Sequence, residues 1–455
     1  MKRRFPCMFL SVVLAGGLLA GCGGQKTGTV PEKEQAGTQK AAAEAASQAA
    51  PEGVSDEITV WTSLTQEEID NYVEDFNAVN PDIKVNAVVF PTDTYMTKLE
   101  AALRSGTGAP DVFLAEIRDL GKLKGSDLIE DLSGEPYGAA ELMDDFIPYV
   151  AELCKDDDGH IIGLSYQSCP GGFWYYKPLA KEYLGTDDPE EVQKLLPDWD
   201  SIAAIGEEVY EKSGGEVYLM DSPASVVAPI LGTRPGAYVQ DGKMLELSYF
   251  RNVMETALKI REHHGDAMLD AWDATWASCF YGNNKFILFG QPSWGLHYCV
   301  KANTPADAAD TDNTWGFIQA PAAYQDGGTW LSMYSGSQHK EAAWTFIKTI
   351  TADEDYLLRY VERTGDMVGY KPAIEKVIAD GFRDPFTGDQ NIYQAMYDAA
   401  MEIKPLSMTK YDIAIENSFK NDKLKLALTG EMSIDEAMQA FADDMQTQFP
   451  ELTIE

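Results

Sequence analysis

Three short stretches of this chain gather side chains that could hold a small molecule: Trp61-Thr62-Ser63, Asp93, and Glu116-Ile117-Arg118. A ring offers an apolar face, while hydroxyls, carboxylates and a guanidinium offer directed, charge-assisted hydrogen bonds. Nothing in such a set requires chemistry on what it holds. The familiar catalytic spacings are absent: there is no G-x-x-x-x-G-K-[ST], no G-x-S-x-G and no H-E-x-x-H. No pair stands out for glycoside hydrolysis among 73 Asp and Glu residues, so that chemistry stays open. Asp156-Asp157-Asp158-Gly159 resembles part of a calcium loop, but with Gly159 at the sixth loop position the first is Cys154 and the twelfth is Ser165. It reads as a polar hairpin turn. Glu262-His263-His264-Gly265-Asp266 closes an expected helix over 251–264, where His suits the C-terminal dipole and Gly265 the position after the cap. No catalytic residue, metal site or cofactor is assigned.

The elements that must position these residues follow from periodicity. Residues 58–61 read as a strand. Thr65 and Glu68 form a capping box, and Ile69, Tyr72, Val73 and Phe76 repeat at i, i+3, i+4 and i+7 before Asn80-Pro81 ends the helix. A β-rich run over 83–90, an amphipathic helix over 95–103 and a strand over 111–114 complete a βαβαβ pattern, which implies a parallel sheet with helices on both faces. In such sheets ligands bind beyond the carboxyl ends of the strands. The three stretches lie there. At the far end, Ser433 and Glu436 form a second capping box before an amphipathic helix.

A chain of 455 residues has room for two or three domains, and 45% hydrophobic residues supply cores for them. With 36 Lys and Arg against 73 Asp and Glu, the net charge of −37 rules against nucleic acid and against docking on anionic lipid. Nine Trp, 22 Tyr and 18 Phe are not the profile of a disordered acidic chain. Lys2, Arg3 and Arg4 precede an uncharged apolar stretch over 7–20, which is signal-peptide anatomy and too short to span a bilayer at about 20 residues. The stretch runs into Leu19-Ala20-Gly21-Cys22, a match to the lipobox of exported lipoproteins. Cys22 would then carry a diacyl anchor as the first mature residue. Loss of 1–21 removes three basic residues and no acid, taking the charge from −37 to −40. Residues 22–55, rich in Gly, Ala, Gln, Glu, Thr and Lys, read as a flexible tether. Cys154, Cys169, Cys279 and Cys299 have no metal or scaffold spacing and read as buried free thiols.

Dispersed segments after residue 55 resemble one family in its own order. They are ITVWTS (58–63), FNAVNPDIKV (76–85), YMTKLEAALRSGTGAPDVF (95–113), DGHIIGLSY (158–166), GGFWYYKPLAKEYL (171–184) and LPDWDSIAAIGEEV (196–209). Farther on come FYGNNKFILFGQPSWG (280–295), WGFIQAP (315–321) and GGTWLSMYSGSQHKEAAWTFIKTI (327–350). The chain resembles the extracellular solute-binding lipoproteins of bacterial ABC importers, in the carbohydrate-type, maltose-binding-protein-like branch. It departs from the pattern at Tyr175-Tyr176, where Tyr-Asn is usual, and at Ile287-Leu288, where Ala-Met is usual.

The resemblance implies a two-lobed periplasmic-binding-protein-like α/β fold, each lobe a mainly parallel sheet flanked by helices, with a cleft that closes on ligand. Lobe I would comprise 56–167 and 319–365, and lobe II 168–318 and 366–455, with crossings near 166–174, 317–321 and 363–371. Trp61, Thr62, Ser63, Asp93, Glu116, Arg118, Tyr166, Trp174, Tyr175, Trp272, Trp294 and Trp330 then become candidates to line the cleft. Trp199, Trp276, Trp315 and Trp344 read as core. The partners implied are a sugar or oligosaccharide, the transmembrane subunits of a permease and, through Cys22, a membrane, for a monomeric protein on the extracytoplasmic face. Two alternatives stay open: a binder of a polyamine, amino acid or metal, and a lipid-anchored glycan hydrolase.

Overall fold

The computed structural model describes residues 56–309 and 311–455. The expected signal peptide, Cys22 and the tether lie outside the described residues. β1 (Asp56–Thr62), β2 (Ile83–Val89) and β3 (Val112–Glu116) run parallel in the order β2-β1-β3, linked by helices Gln66–Val79 and Thr92–Ser105. The expected βαβαβ unit is there. Thr65 Oγ1 accepts from the Glu68 amide while the Glu68 carboxylate accepts from the Thr65 amide, so two helix-end groups satisfy each other. Ile69, Tyr72 and Phe76 are the buried face of that helix. The second helix stops at Gly106, whose left-handed φ of 66° a β-carbon would penalise.

The remaining strands are β4 (Leu164–Ser165), β5 (Gly171–Tyr176), β6 (Tyr218–Met220), β7 (Val239–Gln240), β8 (Lys243–Met244), β9 (Phe286–Pro292), β10 (Trp315–Gln319) and β11 (Thr329–Met333). β11 and β4 extend the first sheet to five strands, β2-β1-β3-β11-β4, and β10-β5-β9-β6 form a second sheet. β7 and β8 make a small hairpin around Asp241-Gly242, both at positive φ, the backbone of a type I′ turn. The two-lobed α/β class holds, but the sheets are mixed instead of mainly parallel. β11 enters antiparallel to β3 and β4, and β5 lies antiparallel to both β9 and β10. The physical reason is the crossings: a strand returning from the other lobe arrives without a helix to reverse it.

One apolar core fills the first sheet and continues onto one face of the second through Trp174, Phe289 and Phe317. The other core covers the opposite face, where Phe173, Tyr175 and Leu288 meet Phe250, Phe419 and Phe441. The Trp174 and Tyr175 side chains thus go to opposite faces, as adjacent strand residues must. Glycine makes room for each ring: a β-carbon on Gly316 in the neighbouring strand would sit 2.3 Å from the Tyr175 ring, and one on Gly295, just after β9, would sit 2.7 Å from Trp174 Nε1. Three crossing segments lie side by side between the sheets, bridged at Gln167–Val368 and Pro170–Gln325. The helix before Gly265 is Leu247–Glu262, and His264, not Gly265, takes the left-handed φ, at 52°. Gly265 is needed for close contact instead, since a β-carbon there would lie 2.8 Å from Ile260 Cγ2 and 3.0 Å from Ile260 O. Cys154, Cys169, Cys279 and Cys299 are buried free thiols.

Candidate functional site

The carboxyl end of β3 supplies the polar half of the site. Glu116 is its last residue and Arg118 lies in the short helix Ile117–Leu120 that follows. Two residues apart across that junction, their side chains pair at 2.7 Å while remaining partly exposed. The loop before β11 closes over them: the Ile117 amide donates to Gly328 O, and Glu116 is the register partner of Thr329. This loop carries Asp326. Arg118 feels Glu116, Asp119, Asp326 and Glu416, and together they raise its pKa although burial alone would lower it. Burial pushes the Asp326 carboxyl up, with Lys420 and Arg118 pulling it back and Glu416 adding to the rise. Glu416 and Lys420 pair at 2.9 Å in a helical segment from the far end of the chain. Beneath the loop, Cys169 accepts the Asp326 amide on its carbonyl, and burial raises its thiol pKa.

Rings form the other half. Trp294 follows β9 and donates its Nε1 hydrogen to Asp326 O at 3.3 Å, which ties the ring to the polar half. Trp272 stands 5.9 Å from it, centroid to centroid, with planes inclined by 30°. Trp272 is 58% exposed and has a φ of 75°, unfavourable for a bulky residue. It gains support from Trp276 behind it, at 5.3 Å. Trp276 is wholly buried and donates its Nε1 hydrogen to Asp221 at 2.7 Å. Asp221 also accepts from Ser225, and burial pushes its carboxyl up to about 6 despite those donors. The outcome is an open ring surface on a stiff backing, beside a guanidinium and several carboxylates.

The other expected residues fall into three groups. Trp61 is half-buried at the end of β1, packed on Phe90 at 4.5 Å, with Ser63 half-buried in the turn beyond it and Asp93 exposed in the first turn of the next helix. These share the strand-end edge with Glu116. Thr62 is buried and serves the turn, its Oγ1 accepting from the Leu64 amide. Tyr166, Trp174, Tyr175 and Trp330 are wholly enclosed, and the structure does not bring their side chains to an open surface. Tyr166 packs among Tyr72 and Tyr360 and bonds the Tyr72 hydroxyl. The Trp174 indole donates to Pro292 O, the Tyr175 hydroxyl to Asp187 O, and the Trp330 indole nitrogen faces Cys154. Trp174 and Tyr175 alternate onto opposite faces of β5 and both faces are covered by core, Trp330 enters the first core from β11, and Tyr166, just after β4, packs into that same core.

Asp326, Glu416 and Lys420 were not foreseen. Asp326 had one available signal, its place before Gly327-Gly328 and Trp330. Glu416 and Lys420 had none, since only the tertiary fold brings them near Arg118. Asp156, Asp158 and His160 come within reach of a single ion, but Asp156 is spent on the amides of Asp158 and His160, as in the expected polar turn.

The profile of the bacterial extracellular solute-binding proteins matches residues 71–399. The lactose-binding protein of Rhizobium radiobacter is 25% identical over 428 residues, covering 86% of this chain and 93% of that protein. The GacH receptor of Streptomyces glaucescens, solved unliganded and with acarbose, superposes with a TM-score of 0.68 at 19% identity, over 88% of this chain and 100% of that one. The galacto-N-biose/lacto-N-biose I-binding protein of Bifidobacterium longum, in complex with lacto-N-biose, gives 0.69 at 18% identity over 89% and 100%.

Proposed function

We propose that this chain, which belongs to the bacterial extracellular solute-binding proteins, captures an oligosaccharide or sugar between its lobes and delivers it to the permease of an ABC importer. One observation carries the reading. A tryptophan more than half exposed, Trp272, is held against Trp294 beside the Glu116–Arg118 pair and Asp326. A pyranose has an apolar C–H face and a rim of hydroxyls, which is the complement of that arrangement. Each face stacked on a ring contributes on the order of 1 kcal/mol, by analogy with aromatic pairs. Hydrogen bonds from hydroxyls to charged partners contribute about 1.5–3 kcal/mol each. Arg118 orients Glu116 so that the carboxylate can accept from a ligand hydroxyl, while Asp326 approaches from the next strand connection. Trp61, Ser63 and Asp93 would extend the polar edge for a longer saccharide.

Lobe I spans 56–167 and 319–365 and lobe II 168–318 and 366–455 in this reading, and closing one on the other removes the ligand from water. The relatives lend support, one being a lactose-binding protein and two others solved with acarbose and with lacto-N-biose. Binding alone suffices, with no bond of the sugar broken. The protein works as a monomer outside the cytoplasm, anchored through diacylated Cys22 with 22–55 as its tether, and meets no nucleic acid.

The test is a thermal-shift and calorimetric screen of the purified protein against lactose, maltotriose, raffinose, spermidine and free amino acids. A ligand at 100 times its Kd stabilises by about 2.7 kcal/mol. A saccharide should raise the melting temperature and be recovered intact. A shift with spermidine and none with any saccharide, or release of hydrolysed sugar, would overturn the reading.

A further inference from the structure

A fully buried carboxylate sits where the crossing segments meet, and ligand capture as described makes no use of it. Asp366 is 0% exposed and enters none of the ion pairs among the described residues. Four neutral donors hold it instead. Ser293 Oγ at 2.5 Å and the Met367 amide at 2.7 Å donate to Oδ1, while Gln167 Nε2 at 2.6 Å and the Tyr360 hydroxyl at 2.8 Å donate to Oδ2. These donors come from separate parts of the chain. Gln167 belongs to the first crossing, between β4 and β5, and Met367 to the third. Tyr360 lies on helix Glu354–Thr364, and Ser293 immediately precedes Trp294. Gln167 passes the restraint on, because its Oε1 accepts from the amide of Thr329 at 3.1 Å. Thr329 is the register partner of Glu116.

Burying a carboxylate without a counter-ion is costly, and apolar side chains could join the crossings without that cost. What four short, charge-assisted bonds add is direction, since each fixes a donor in angle as well as distance. The pair on Oδ1 holds the Trp294 side of the site, and the pair on Oδ2 leads through Gln167 to the Glu116 side. We propose that Asp366 is the positioning residue of the cleft, setting where Trp294 stands relative to Glu116 and the 326–329 loop. It touches no ligand and acts through Ser293 and Gln167. The proposal rests on the capture reading only for the role of the residues it positions.

Hydrogen exchange of the ligand-free full chain, read by mass spectrometry, tests this without any ligand. Asp366→Asn puts an amide NH2 opposite the Gln167 and Tyr360 donors. Exchange in peptides covering 293–298 and 326–330 should then rise about tenfold while β1 and β5 keep their protection. The double variant Asp366→Asn with Gln167→Glu exchanges donor for acceptor across the contact and should restore protection at both segments. Unchanged exchange in the single variant would overturn the proposal, since mere space filling predicts it. So would a double variant as loose as the single. If Asp366→Asn unfolds the whole protein, Ser293→Ala decides: it should loosen 293–298 several-fold with β1 unaffected, and no loosening there refutes the role. Lactose titration is a separate arm. Failure of the parent protein to bind lactose, with the exchange results as expected, counts against that sugar and leaves the positioning role standing.

Discussion

The two halves of the site are built on opposite principles. Glu116 and Arg118 sit two residues apart at a strand end, pair with each other and remain partly exposed. Trp272 depends on a stack of buried groups behind it, Trp276, Asp221 and Ser225, contributed by separate elements, and Trp294 stands against Trp272 and bonds Asp326 O. A polar edge can therefore change residue by residue at little cost to the fold, whereas an aromatic surface carries its scaffold's stability with it. The two halves should respond differently to truncation, and that difference can be measured.

The largest effect should come from the backing. Trp276→Ala removes a wholly buried ring and leaves Asp221 without its indole donor. The expected loss is about 3–5 kcal/mol, visible as a lower denaturation midpoint in urea. A loss within about 0.5 kcal/mol would mean that the ring surface is not stiffly supported.

Asp221 should give the same half a pH signature. Its carboxyl is pushed up to about 6 by burial, above its ordinary value of 3.8. The folded state therefore takes up the proton more readily, so this group's contribution is fully present below the ordinary value and is lost as pH rises through about 6. Unfolding free energies at pH 4 and pH 7 should show the parent gaining up to about 3 kcal/mol over Asp221→Asn on acidification. Asp412, likewise raised to about 6 by burial, titrates in both proteins and cancels in that difference. Equal pH dependence in parent and variant would remove Asp221 from the account.

The polar half should show the reverse balance. Glu116→Ala should cost no more than about 1 kcal/mol of stability, the range of exposed ion pairs. Its effect on saccharide affinity should be larger, about 1.5–3 kcal/mol or roughly tenfold to a hundredfold in Kd. Calorimetry on a saccharide that binds the parent measures it. A variant with unchanged affinity would place the ligand elsewhere.

The sequence made one half far easier to read than the other, for the same reason. β1, β2, β3 and their helices are local patterns, and the Thr65–Glu68 and Ser433–Glu436 capping boxes occur where their spacing predicts. Glu116 and Arg118 could be placed because a strand end is a local feature. Trp174, Tyr175 and Trp330 could not be told from cleft residues, because alternation along a strand gives two faces without saying whether either is open, and here both are covered. Gly316 and Gly172, lying against the Tyr175 and Phe317 rings, settle the packing of that region, and their effect is felt across strands. Asp326 owes its setting to Arg118 and Lys420, which no local pattern connects.

Trp272 gives the smallest expected effect and the sharpest comparison. It lies four residues before Trp276, yet one ring is 58% exposed and the other 0%. Its φ of 75° favours glycine, so Trp272→Gly relieves backbone strain while removing a ring that buries little. Stability should stay within about 0.5 kcal/mol of the parent or rise slightly, as for a surface site. Saccharide affinity should nevertheless fall by about 1 kcal/mol, the contribution of one stacked face. Trp276→Ala must show the opposite pattern, a large loss of stability first. If Trp272→Gly destabilised the fold as much as Trp276→Ala and left affinity untouched, the exposed ring would be packing after all, and the aromatic half of the site would reduce to Trp294.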